Sequence, residues 1–277
     1  KGRTMSFSII TADQRLSTPR GVKALIVGPA GVGKTSLLRT VNPRTTLFVD
    51  LEAGDLSVQD VQIDTMQPKT WPECRDLAAL LGGPNPALEP HMSYSQAHYD
   101  AVCAKLGDVS SLDKYETYFI DSITVAGRLC LRWSQSQPEA VSEKTGKPDL
   151  RGAYGLHGRE MISWLTQLQH ARSKNVIFVG ILERVTDDFN VSTWQPQIEG
   201  SKTGRELPGI VDQVITMQLI TFDEEDAKPV RAFACWPDNP YGWPAKDRSG
   251  RLEMFEKPDL GALIEKITAP QKAAVAA

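Results

Sequence analysis

Apolar residues in this chain fall into short runs that alternate with longer amphipathic stretches. Residues 22–27 (VKALIV) form a brief β-branched run that stops at Gly28, the pattern of a buried strand. A glycine-rich turn follows, and residues 34–41 (KTSLLRTV) then carry helical spacing. Residues 46–50 (TLFVD) predict a second strand and residues 61–65 a weaker third. Helices are expected over 70–81, stopping at Gly82-Gly83, and over 93–106, stopping at Gly107, with a loop over 84–90 between them. Residues 115–121 (YETYFID) read as a strand with an acid at its carboxyl end, and 122–135 as a helix. The polar stretch 137–158 reads as a mobile loop and 159–173 as a helix. Residues 175–182 (NVIFVGIL) are the clearest buried strand. A second polar stretch, 183–205, precedes a helix expected to open at Glu206. Residues 214–222 and 230–236 read as an antiparallel hairpin around the acidic turn 223–226, and a helix over 258–267 closes the pattern.

Strands alternating with helices predict an α/β fold. Its sheet is mostly parallel and flanked by helices, with antiparallel strands added toward the C-terminus. The expected division is an N-terminal segment (1–20), one domain (21–268) and a flexible tail (269–277). Lys1-Gly2-Arg3-Thr4 precede Met5 and are read as a remnant of expression.

Composition refines this only slightly. The 277 residues suffice for a core without staples, and 41% hydrophobic with 23% charged is ordinary for a globular chain. The longest clean apolar stretch, 176–182, is far below the roughly 20 residues of a membrane helix, so no membrane association is expected. The cysteines at 74, 103, 130 and 235 are scattered without CxxC spacing, and the four histidines form no cluster. That argues against a disulfide framework or structural zinc and fits a reducing, cytoplasmic setting.

Gly28-Pro29-Ala30-Gly31-Val32-Gly33-Lys34-Thr35 matches GxxxxGK[ST] and is followed by Ser36. About 0.01 such matches are expected by chance from average composition. The motif sits where its mechanism needs it, between a strand and a helix. Backbone N–H groups of such a loop curl round the phosphates of a nucleotide such as ATP, and a helix N-terminus adds a favourable dipole. Lys34 is expected to reach the β- and γ-phosphates and the Thr35 hydroxyl to coordinate Mg²⁺. Asp121, at a strand end, is the expected second Mg²⁺ acid. Asp50 and Glu52 follow the second strand, and a carboxylate there can polarise a water. Glu52 is the expected general base and Asp50 a structural acid.

A P-loop, a strand ending FVDLE, a strand ending FIDS, then VIFVGIL and a long polar loop together resemble the RecA-type ATPase core. RecA-like proteins carry their catalytic Glu just after the strand that follows the P-loop, as Glu52 stands here. Lys246-Asp247-Arg248-Ser249-Gly250 resembles the cationic elements of RadA, DnaB-type helicases and RecA. The resemblance implies that Lys246 and Arg248 act on the γ-phosphate of a neighbouring subunit, where ammonium and guanidinium offset developing charge. GSKTGRELPGIVD and YGWPAKDRSGRLE resemble phage-encoded, single-domain Sak-type recombinases, over residues 21–267. That resemblance implies a phage protein in a bacterial host, working with a single-strand-binding protein. One departure is that Gly180-Ile181-Leu182-Glu183 stands where RecA has a Gln-containing sensor.

In RecA-like assemblies two loops hold single-stranded DNA, and the resemblance places them at 137–157 and 183–205. The first carries Lys144, Lys147, Arg151 and Tyr154; the second carries Arg184, Phe189, Trp194, Lys202 and Arg205. Cations and aromatics are what single-strand binding uses. Yet residues 137–160 hold four cations and four acids, and the whole chain has net charge −3. DNA binding would come from geometry repeated along an oligomer. Lys202 and Arg205 have a second reading as nucleotide sensors. Residues 1–23, with five cations and one acid, could pack on a neighbouring copy.

The leading expectation is a DNA-stimulated ATPase, an ATP-dependent recombinase that assembles on single-stranded DNA with ATP held between subunits. Such a heterologous contact gives a ring if it closes and a filament if it does not. The alternatives are a hexameric helicase-like motor, a nucleotide-switched loader or scaffold that hydrolyses slowly, and, more weakly, a small-molecule kinase.

Overall fold

The computed structural model describes residues 9–186, 189–221 and 228–270. Its strands are β1 (Lys23–Gly28), β2 (Thr46–Asp50), β3 (Asp64–Met66), β4 (Thr117–Asp121), β5 (Asn175–Thr186), β6 (Ser192–Pro196), β7 (Gln213–Ile220), β8 (Val230–Ala234), β9 (Lys246–Asp247) and β10 (Phe255–Glu256). Its helices are α1 (Ala12–Ser17), α2 (Trp71–Gly82), α3 (Gln96–Leu106), α4 (Ile123–Gln135), α5 (Leu150–Gln169), α6 (Ser201–Ile210) and α7 (Leu260–Thr268). The strands form one sheet in the order β10-β8-β7-β1-β5-β4-β2-β3, with β6 added to β5 and β9 to β7. The strands β7, β1, β5, β4, β2 and β3 run parallel. β6, β8, β9 and β10 join antiparallel. This is the mixed α/β architecture expected, mostly parallel with antiparallel strands toward the C-terminus.

Period-two alternation explains why the central strands read as unbroken apolar runs. Leu25, Val27, Leu47, Val49, Ile120 and Phe178 face one core, against α2, α4 and α5. Ala24, Ile26, Phe48, Phe119, Ile177 and Val179 face the other, against Leu37, Leu38 and α7. A sheet covered on both sides needs apolar residues at every position. On the first face Trp71 and Trp164 are buried with ring centroids 5.9 Å apart. Their N–H groups donate to Glu160 and to the Cys74 carbonyl, so burying the indoles strands no donor. Cys74, Cys130 and Cys235 are buried and unpaired, as core residues.

Several boundaries differ from expectation. The stretch 137–158 is not one loop: α5 opens at Leu150, with the Asp149 side chain accepting from the Arg151 amide. Gly152, Gly155 and Gly158 hide the helical period. At Gly152 a Cβ would stand 1.9 Å from the Glu139 carbonyl oxygen, so this glycine serves close packing. The helix expected over 34–41 is a short 3₁₀ turn, Thr35–Thr40, which ends as Val41 turns extended before Asn42-Pro43. Proline restrains the residue before it, and the turn closes ahead of that pair. β3 lies at Asp64–Met66, not 61–65. The buried strand at 175 runs on to Thr186, and α6 opens at Ser201 rather than Glu206, after Gly200 in a left-handed conformation (φ 77°). The β7–β8 hairpin forms as expected. The acidic turn 223–226 lies outside the described residues, as do Phe222, residues 1–8 and the tail beyond 270.

Candidate nucleotide-binding site

The carboxyl ends of β1, β2 and β4 converge on one edge of the sheet. Gly28 ends β1 so close to β7 that a Cβ there would lie 2.4 Å from the Met217 carbonyl oxygen. Gly31 (φ 77°) and Gly33 (φ 100°) then take left-handed conformations that let the loop curl. Because only a 3₁₀ turn follows, the dipole contribution expected of a helix shrinks. Anion binding here rests on loop amides and Lys34. The Lys34 ammonium donates to the carbonyls of Gly28 (3.0 Å) and Pro29 (2.9 Å). Burial lowers its pKa, opposed by the charges of Asp121 and Glu52. To reach a phosphate it exchanges these two carbonyls for phosphate oxygens.

Asp121 is 4% exposed, and the Thr35 hydroxyl donates to it at 2.6 Å. Burial pushes the Asp121 carboxyl up to about 6; the Thr35 bond and Lys34 pull it down, while Glu52 and Asp50 push it further up. One carboxylate and one hydroxyl, side by side at the mouth of a phosphate loop, fit Mg²⁺. That ion takes oxygen ligands, holds one or two protein groups, and fills its shell with phosphates and water. Among the described residues no group of three or more His, Cys, Asp or Glu could hold a metal ion without such help.

Asp50 pairs with Asp121 across β2 and β4 and is 2% exposed. One of its oxygens accepts the amides of Glu52 and Gly54, both at 3.1 Å, and the other accepts Gln67 Nε2 at 3.0 Å. Asp50 is thus the structural acid expected, holding the turn that presents Glu52. Glu52 is exposed, and its carboxylate accepts a hydrogen bond from Ser122 Oγ. Ser122 also caps α4, its Oγ accepting from the Val125 amide at 3.4 Å. Gln67 carries no motif signal, and Ser122, though it ends the FIDS segment, had no role assigned from sequence, since only the fold brings the two to the acids. Arg231 on β8 was equally invisible, yet its guanidinium lies against Gly33.

Lys246 and Arg248 do not join this cluster. β9 pairs with the first residues of β7, at the sheet edge opposite the P-loop. Lys246 Nζ donates to the carbonyls of Pro208 (2.7 Å) and Val211 (2.8 Å). Arg248 pairs with Asp212 at 2.7 Å, where Arg20 also docks at 3.2 Å, and its side chain stays 53% exposed.

The two stretches expected to hold DNA meet at one place. β5 and β6 form a hairpin, pairing Leu182 with Pro196 through Thr186 with Ser192. It carries Arg184 over the Trp194 ring at 5.9 Å, and Phe189 is exposed nearby. Lys144, Lys147, Arg151 and Tyr154 are exposed on the stretch before α5 and on its first turns. At the hairpin base, buried His157 is 2.6 Å from the Glu199 carbonyl through Nε2. Thr124, two residues past Ser122, donates to the Gln197 carbonyl (2.9 Å) and accepts the Ile181 amide (3.1 Å). Gln197 Nε2, one residue beyond β6, donates to the Glu183 carboxylate at 3.2 Å. Arg205 is exposed on α6, and the side chain of Lys202 lies outside the described residues. Among the described residues, no helix is long and apolar enough to cross a membrane.

No curated protein matches the chain. A family model described as AAA domain matches residues 20–249, which spans the P-loop, both acidic strand ends and the β5–β6 hairpin. With a glycine loop, a lysine, a hydroxyl and a buried acid assembled on one sheet edge, the chain belongs to the AAA domain family of P-loop, nucleotide-binding ATPases.

Proposed function

We propose that this protein is a DNA-stimulated ATPase that binds single-stranded DNA as an assembly of copies and promotes annealing or strand exchange. The observation that carries the reading is the run of contacts from the nucleotide site to the hairpin. Ser122 touches Glu52, and Thr124, two residues on, fastens both Ile181 and Gln197. A change in what Asp121 and Glu52 hold therefore has a short path to the β5–β6 arm. Lys34 and the loop amides of residues 28–36 bind the phosphates of ATP, and Thr35 and Asp121 hold Mg²⁺, which neutralises phosphate charge. Glu52 orients and deprotonates the attacking water, with Ser122 fixing its carboxylate. Arg248, and Lys246 if it leaves its two carbonyls, serve the nucleotide of the adjoining copy, since neither sits at the P-loop of its own chain. Lys144, Lys147, Arg151, Arg184, Phe189, Trp194, Lys202 and Arg205 supply the DNA surface, and a single-strand-binding protein is the expected companion.

The test is the steady-state ATPase rate with and without single-stranded DNA, for wild type, Lys34→Ala, Glu52→Gln and Arg248→Ala. The expected result is stimulation by DNA that each variant loses, with Glu52→Gln slower by about 10²- to 10⁴-fold. Mixing Glu52→Gln with Arg248→Ala restores part of the rate, because mixed interfaces recover one intact site. A rate that Lys34 controls but DNA leaves unchanged refutes the DNA reading. Directional unwinding of a duplex would favour a helicase-like motor instead.

A further inference from the structure

Beyond the motif residues, the sheet edge carries one more cation at the phosphate loop. Arg231 lies on β8, opposite Leu219 of β7. β8 runs antiparallel to β7, so its first residues stand at the edge where β1 delivers the P-loop. Arg231 and Phe233 are two apart and share a face. Phe233 is buried with Leu37 and Leu38, just behind the P-loop, which directs Arg231 onto the loop itself. A Cβ placed on Gly33 would meet Arg231 Cζ and Nε at 3.4 Å and Nη1 at 3.6 Å. The residue is exposed, and among the described residues its side chain has no ion pair or hydrogen bond. By contrast Arg20 and Arg248 share Asp212, Arg39 has Asp60, and Arg75 has Glu160.

We infer that Arg231 is a phosphate ligand acting within its own chain, contacting the β- or γ-phosphate of the nucleotide held by residues 28–36. This rests on the nucleotide-binding reading of that loop and adds a residue to it. Backbone amides next to Gly33 face the phosphates, and a guanidinium lying on that glycine offers its planar N–H fork to the same oxygens. Gly33 itself is required by its backbone conformation (φ 100°), and the guanidinium sits at van der Waals distance from where its Cβ would stand.

The experiment is calorimetric titration of ATP, ADP, AMP and inorganic tripolyphosphate into wild type, Arg231→Ala, Arg231→Gln, Arg231→Lys and Lys34→Ala, each checked for an unchanged unfolding midpoint. The expected result is about ten- to a hundredfold weaker ATP, ADP and tripolyphosphate binding in the Ala and Gln variants. AMP affinity is unchanged, and the Lys variant recovers part of the loss. Should either the Ala or the Gln variant bind ATP and tripolyphosphate like wild type while Lys34→Ala does not, Arg231 is no phosphate ligand and the nucleotide site stands. Equal loss of AMP affinity would reduce Arg231 to a prop for the loop and overturn the proposal. Wild type that binds no nucleotide or tripolyphosphate would remove the site on which both readings rest.

Discussion

Replacing Asp121 with Asn tests the electrostatics of the buried acid beside Thr35 directly. Asp121 is 4% exposed, and burial raises its pKa from the ordinary 3.8 to about 6. Between those two values the native state keeps a proton that the unfolded chain has released. Stability from this group therefore falls as pH rises through that window, and the full penalty stands above about 6. A shift of about 2 units corresponds to roughly 3 kcal/mol. Asn is neutral throughout, and its carbonyl oxygen can still accept from Thr35 Oγ1. Its buried amide costs about 1 kcal/mol or more if left unpaired. Asp121→Asn is thus expected to gain roughly 1–2 kcal/mol at pH 8 and to lose that advantage toward pH 4. Urea unfolding in EDTA across that pH range measures it, and Mg²⁺-dependent ATP binding should collapse in the same variant. A variant less stable than wild type at pH 8, or a difference that does not change with pH, would refute the argument.

Gly152→Ala should destabilise by about 1–3 kcal/mol, because its Cβ lands 1.9 Å from the Glu139 carbonyl oxygen. Gly155→Ala on the same helix meets only the tip of Arg159 at 3.8 Å and should gain up to about 1 kcal/mol from helix propensity; urea midpoints of the pair separate packing from propensity. Burial holds the His157 pKa below the ordinary 6.5, against the pull of its bond to the Glu199 carbonyl and the Glu199 charge. The unfolded chain therefore takes up this proton first, and stability falls as pH drops below 6.5. Amide exchange at the hairpin base, corrected for intrinsic rate, should speed up there in wild type and not in His157→Phe.

Local pattern alone determined the P-loop, the two acid-tipped strands and the succession of β1, β2, β4, β5, β7 and β8 along the chain. Phosphate loops need glycines at set spacing, and doubly covered strands need unbroken apolar runs, so both leave marks a few residues long. Asp50, Glu52 and Asp121 were legible as acids at strand ends, and the structure sets Asp121 beside Thr35 and Asp50 under the turn that carries Glu52. The first turns of α5 escaped because Gly152, Gly155 and Gly158 break the apparent period, and at Gly152 the reason lies across space, in the Glu139 carbonyl. The 3₁₀ turn after the P-loop escaped because propensity does not distinguish it from an α-helix before the Asn42-Pro43 stop. Only the tertiary structure could set Ser122 on Glu52, Gln67 on Asp50, Thr124 on the hairpin base and Arg231 on Gly33. The Arg231 contact spans 198 positions of chain, counting from Gly33 to Arg231. Strand order, not local sequence, creates that contact: β7 lies beside β1, and β8 folds back along β7 to bring its first residues to the loop.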